Sequence, residues 1–154
     1  MKKALFLLPL LLFACSFAKA QNTPQSYIEK YKNAAISIMH DYGIPASVTL
    51  AIAMHESASG NSKLARQNNN QFGMKGRHSY KNYDSVLESF EDFARIISKR
   101  NLSDKFDSFD YKGWAKGIQR GGYASSSKWS VQVLSLIKKF GLNNLDEKPD
   151  PDDQ

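Results

Sequence analysis

Between Val48 and Met54 the chain reads V-T-L-A-I-A-M, and this segment restricts the fold more than any other in the body of the protein. As a helix it is apolar on nearly every side. A helix with no polar face belongs in the middle of a core, so other helices must surround it. Pro45 suits its first turn, where a missing N–H has no partner to lose. Ser57, Ser59 and Gly60 end it.

The surrounding elements are legible by the same periodicity. From Tyr27, the residues Ile28, Tyr31, Ala34, Ala35, Ile38, Met39 and Tyr42 recur at three- and four-residue steps until Gly43, which predicts an amphipathic helix. Ser85-Val86-Leu87-Glu88 is a capping-box pattern opening a second such helix, with an apolar stripe of Val86, Leu87, Phe90, Phe93, Ala94, Ile96 and Ile97. Two more are expected over Tyr111–Gln119 and Lys128–Phe140, the latter closed by Gly141. Asn61–Tyr83 is polar, without a clear period, and reads as a groove-lining loop. No stretch alternates with period two, so the expected class is all-α or nearly so.

The first twenty residues read as an export signal: Lys2 and Lys3, an apolar run Ala4–Phe13, and the small-x-small site Ala18-Lys19-Ala20. The run is shorter than the roughly 20 residues a spanning helix needs. Residues 1–20 are therefore expected to be removed, leaving a periplasmic or secreted protein; the alternative is a lipoprotein anchored at Cys15. Cys15 is the only cysteine, so a chain cut after Ala20 has no disulfide and must hold by packing. One domain is expected over 21–145, and a disordered acidic tail over 146–154. The formal charge is +6, and residues 21–145 carry 17 basic against 10 acidic side chains. That excess suits an anionic polymer without choosing among cell-wall glycan, teichoic acid and nucleic acid.

Glu56 closes the apolar helix and is the candidate for chemistry. Burial beside Ile52 and Ala53, and the negative end of the helix, both disfavour the carboxylate form of a glutamate at that place. A carboxylic acid kept protonated can deliver a proton to a glycosidic oxygen. The string E-S-A-S-G-N-S-K-L-A (56–65), then N-N-Q-F-G-M-K (69–75), resembles the bacterial endo-β-N-acetylglucosaminidases, the peptidoglycan-cleaving domains of autolysins and flagellar-rod hydrolases. Y-D-S-V-L-E-S (83–89), W-A-K-G-I (114–118) and G-Y-A (122–124) are similar to later segments of that family, so the resemblance spans most of the chain.

The resemblance implies a small lysozyme-like helical bundle with a substrate cleft. It implies Glu56 as general acid and Tyr123 beside it. Ser57, Asn69, Asn70, Phe72 and Lys75 are the implied substrate-binding residues. Lys75, Arg77 and Lys81 either contact muropeptide carboxylates or form a solvated basic face. The chain departs from the family in two places. Ala58-Ser59-Gly60 stands where G-W-G is frequent, and only Gly76–Asn82 replaces a longer β-hairpin that often carries a second glutamate. Asp84 and Glu88 are the nearest carboxylates, with Glu88 already assigned to a cap. The substrate's own acetamido oxygen, or a water held by Tyr123 or Asn69, would then complete the reaction.

His40, His55 and His78 form no metal-ligand spacing, and His55 reads as a structural or groove-edge residue. The expected activity is hydrolysis of the β-1,4 bond after N-acetylglucosamine in cell-wall glycan, by a monomer needing no cofactor or metal and no nucleic acid. Muramidase or lytic transglycosylase specificity, and a non-catalytic glycan-binding protein on the same fold, are the alternatives.

Overall fold

A computed structural model describes residues 21–146. The expected export signal with Cys15, and all of the acidic tail beyond Asp146, lie outside the described residues. Six α-helices follow in order: α1 Pro24–Tyr42, α2 Ala46–Ser57, α3 Lys63–Asn68, α4 Val86–Ser98, α5 Tyr111–Arg120 and α6 Trp129–Phe140. Single 3-10 turns lie at Leu102–Asp104 and Leu142–Leu145. Among the described residues there is no strand, only an isolated antiparallel bridge between Lys75 and Tyr80. The all-α expectation is met. No described helix is long and apolar enough to cross a membrane.

α2 is the axis of the bundle, as its sequence requires. Every residue from Ala46 to Met54 is buried, and the helix packs against α1, α5, α6 and the last 3-10 turn. Enclosure leaves one polar defect among the described residues, for the buried hydroxyl of Thr49 has no hydrogen-bond partner there. Pro45 is the N-cap rather than an internal residue and offers no side-chain cap. The cap arrives from the far end of the chain. Asp146 accepts hydrogen bonds from the Ser47 N–H (2.8 Å) and Oγ (2.6 Å). Asp146, expected in the solvated tail, is thus part of the fold; its burial raises its carboxyl above the ordinary value, with the Ser47 bonds opposing.

The other elements differ from expectation at their ends, for local reasons. α1 starts at Pro24, three residues before Tyr27, because Thr23 and Ser26 form a reciprocal capping box of 3.1 and 3.0 Å around Pro24. The supposedly aperiodic 61–83 loop contains α3, capped by Ser62 and too short to show a period. At α4, Ser85 accepts from the Glu88 N–H while the Glu88 carboxylate takes the N–H of Asp84. Leu87, assigned to its apolar stripe, is exposed.

An aromatic chain runs from the core toward the end of α2. Phe72 stacks on Phe93 at 4.2 Å and meets Phe90 edge-on at 4.9 Å. Phe93 meets Tyr123 at 5.9 Å, and Tyr123 leans on Trp129 at 5.3 Å. Burying such rings is worth about 2 kcal/mol each, which ties the 69–75 loop firmly to α4.

Candidate active site

Glu56 sits half-buried in the last turn of α2, at one edge of a cleft of about 420 Å³. Three segments hold it there. Ala58, Ser59 and Gly60 all have left-handed backbone (φ 50°, 53° and 78°), which turns the chain sharply away behind the carboxyl. Ser57 Oγ locks that reversal by donating to the Ala53 carbonyl at 2.6 Å and accepting from the Gly60 N–H at 2.7 Å.

The opposite wall is the 69–75 loop. Asn70 makes it rigid: its Oδ1 accepts from the Met74 N–H, and its Nδ2 donates to the carbonyls of Met74 and Lys81, each at 2.9 Å. Gly73, in the left-handed region at φ 64°, lies so close that a Cβ there would be 3.7 Å from Glu56 Oε2. Oε2 therefore lies beside Gly73, whose missing side chain leaves space next to the carboxyl.

The third segment comes from the C-terminal helices. Trp129, at the start of α6 and 3% exposed, donates its indole N–H to Glu56 Oε1 at 2.7 Å. An indole can only donate, so Oε1 is held as an acceptor and Oε2 is left for proton exchange with a ligand. Tyr123 donates its hydroxyl to the Phe72 carbonyl at 2.9 Å, joining the α5–α6 turn to the opposite wall. Burial, and then the charge of Glu56, push its phenol well above the ordinary value, with Arg100 opposing. It is a neutral donor throughout the working range. Arg100 braces the same turn by donating to the Ile118 and Gly121 carbonyls (3.3 and 2.7 Å) and itself lines the cleft.

The structure brings Glu56, Phe72, Lys75 and Tyr123 together around one cleft. Phe72 contributes its backbone carbonyl to that site, since its ring is 2% exposed and packed in the core. Ser57, Asn69 and Asn70 stand elsewhere. Ser57 and Asn70 are buried with their polar atoms engaged inside the protein, and Asn69 donates to the Tyr83 carbonyl from a separate groove beside Asn61 and Arg66. Their polar groups brace the walls, and Asn69 does not line the cleft at Glu56. His55 packs edge-on to Trp129 at 6.4 Å and is not among the residues lining the cleft.

Trp129 and Arg100 were not among the residues singled out in the sequence. The available signal was physical: a tryptophan opening an otherwise apolar helix needs a partner for its N–H once buried. The shortened hairpin is a tight turn, closed by Gly76 N–H to Ser79 O (2.7 Å) and Lys81 N–H to Met74 O (2.9 Å), with no carboxylate in it. Asp84 is exposed and does not line the cleft. Asp92 is the buried carboxylate nearby in sequence, and it is occupied: Lys81 and Tyr83 each contact Oδ2 at 2.7 Å, and Arg95 contacts Oδ1. Burial pushes Asp92 upward, but the Lys81 and Tyr83 bonds and the charges of Lys81 and Arg95 outweigh it, so its carboxyl is held below the ordinary value. No group of three or more His, Cys, Asp or Glu among the described residues is placed to hold a metal ion.

Comparison with known proteins places the chain among relatives. The exo-glucosaminidase LytG of Bacillus subtilis is 26% identical over 151 residues, covering 80% of this chain and 54% of that protein. An N-acetylmuramoyl-L-alanine amidase domain-containing protein of Staphylococcus aureus is 27% identical over 161 residues, covering 83% of this chain and 26% of that protein. The chain thus spans about half or less of these relatives. The crystal structure of the catalytic domain of the Listeria monocytogenes autolysin Auto superposes with a TM-score of 0.67 at 25% identity, over 84% of this chain and 92% of that one. Residues 32–142, which include the whole of the cleft described above, match the family described as "Glucosaminidase: Mannosyl-glycoprotein endo-beta-N-acetylglucosaminidase". The chain belongs to the glucosaminidase family.

Proposed function

We propose that the protein is a glycoside hydrolase that cuts peptidoglycan strands at the β-1,4 bond on the reducing side of N-acetylglucosamine, with Glu56 as general acid. The observation that carries this reading is the Trp129–Glu56 hydrogen bond at the cleft edge, which orients one carboxyl oxygen and leaves the other for the substrate. Family membership supports the reaction class, and the wall-hydrolase relatives support the substrate. An export signal over residues 1–20 would carry the protein to where that substrate is found.

The proton passes from Glu56 Oε2 to the glycosidic oxygen as the bond to the anomeric carbon breaks. Glu56 is the one carboxylate among the described residues lining the cleft. That favours attack by the substrate's 2-acetamido oxygen, giving a cyclic intermediate without a protein nucleophile. Water then opens the ring, and Glu56, now ionised, accepts its proton. Tyr123 stays protonated and serves as a fixed donor, its lone pairs able to orient that water.

Digestion of purified sacculi followed by mass spectrometry tests the specificity. New reducing ends at N-acetylglucosamine are expected. Reducing ends at N-acetylmuramic acid would make the protein a muramidase, and 1,6-anhydro ends a lytic transglycosylase. The lone carboxylate also favours a second reading, a glycan-binding protein without turnover. Retention on sacculi with no release of fragments would establish it.

A further inference from the structure

We propose that the tip of the 75–80 turn is a binding site for carboxylates carried on the alternate sugars of the glycan, continuous with the cleft. This rests on the reading of the protein as a peptidoglycan hydrolase. The tip bears a second, open cavity of about 420 Å³, lined by Lys75, Gly76, Arg77, His78, Ser79 and Tyr80. Lys75 lines both this cavity and the cleft of Glu56, so the two adjoin at that residue.

The charges of this turn divide into two sets. Lys81 is paired with buried Asp92 at 2.7 Å, which anchors the base of the turn to α4. Lys75 and Arg77 have no carboxylate partner among the described residues, and no acid occurs between residues 75 and 82. Their cationic groups stand on a braced scaffold, since the turn is closed by the Gly76–Ser79 and Lys81–Met74 backbone bonds. Tyr80 completes the cavity. It is 50% exposed, with the Lys75 ammonium 5.6 Å from its ring centre, and offers an apolar face beside the cations. A turn that held a proton-transfer carboxylate would need the opposite charge. This one is built for an anion.

The glycan supplies the anion at a fixed interval. N-acetylglucosamine alternates with a muramic sugar whose lactyl side chain ends in a carboxylate or in a peptide bearing several. A cut after N-acetylglucosamine places a muramic sugar immediately on the leaving side and another two units away on the other. An anion-bearing sugar therefore flanks Glu56 whichever way the strand runs. A neutral polymer of N-acetylglucosamine lacks it, so the site confers preference among glycans more than affinity as such.

The test measures binding in the full-length Glu56→Gln protein, so that it reads independently of turnover. Affinity for peptide-bearing glycan strands is compared with affinity for a neutral chitooligosaccharide, with and without the exposed-tip change Arg77→Glu. The ratio of the two affinities is expected to fall by about 3- to 10-fold, as for one or two exposed ion contacts. It should be restored in Arg77→Lys and shrink at about 0.5 M salt. Amidase stripping removes the peptide and frees the lactyl carboxylate that had been its amide: a fall that persists shows that the site takes either carboxylate, and one that disappears assigns the peptide. An unchanged ratio, or an equal loss on both ligands, would overturn the proposal. Wild-type protein that releases fragments from sacculi while Arg77→Glu, in the Glu56→Gln background, leaves the ratio unchanged would overturn this inference alone, and Glu56→Gln protein that binds no glycan would overturn both.

Discussion

The indole N–H of Trp129 lies 2.7 Å from Oε1 of Glu56, a contact between residues 73 positions apart that fixes the orientation of the only carboxylate on the cleft among the described residues. Without it the glutamate would be a half-exposed side chain at a helix end, free to rotate among several rotamers. With it, one oxygen is occupied and the other points past Gly73.

Trp129→Phe keeps most of the ring packing and removes the donor. Hydrogen bonds to ionisable groups contribute about 1.5–3 kcal/mol, so kcat on glycan strands should fall by about 10- to 100-fold. Thermal unfolding should change far less than for Trp129→Ala, because Tyr123 and His55 keep an aromatic neighbour. Wild-type kcat in Trp129→Phe would show that the bond does not orient the acid.

Tyr123→Phe separates structure from chemistry in the second cleft residue. The Phe72 carbonyl loses its donor, so stability should drop by about 1 kcal/mol in urea titration. Because the phenol is held well above its ordinary value, wild-type turnover should show no alkaline limb that disappears in Tyr123→Phe. A limb that vanished with the hydroxyl would make Tyr123 a titrating base.

Asp92 gathers Lys81, Tyr83 and Arg95 beneath the 75–80 turn, and its carboxyl is depressed in the folded state. A depressed carboxyl contributes stability that is present above the unfolded value and is lost as pH falls through the folded one. Asp92→Asn should therefore lower stability by about 2 kcal/mol at pH near 7, and by much less at about pH 3, in paired urea titrations. An equal deficit at both values would assign the loss to packing.

Thr49→Val should stabilise the protein. The Thr49 hydroxyl is buried in α2 without a partner among the described residues, and a methyl of similar shape removes that cost. The expected gain is about 1 kcal/mol, or roughly 4 °C in Tm. A lower Tm would mean that the hydroxyl is satisfied.

How far the sequence reached can be judged from these same residues. The burial of α2 follows from its composition alone, and the ends of α5 and α6 from local periodicity and Gly141. Glu56 was found through a motif whose spacing is contiguous. Trp129 was missed because its partner lies 73 residues away, and Asp146 because the N–H it caps lies 99 residues away. Spacing within a segment carries no information on such pairs. Ser57 and Asn70 show the converse limit, for the motif marks polar residues without saying which brace a wall and which face a ligand. α3 has six residues, fewer than two turns, so no period could reveal it.

Comparison of wild type with Glu56→Gln on purified sacculi tests the central claim most directly. The substituted amide fits the same space and its oxygen can still accept from Trp129, but it has no acidic proton to give. Release of soluble fragments with reducing N-acetylglucosamine ends should fall by about 10²- to 10⁴-fold, while binding to sacculi persists. Fragment release by Glu56→Gln at the wild-type rate would contradict the account.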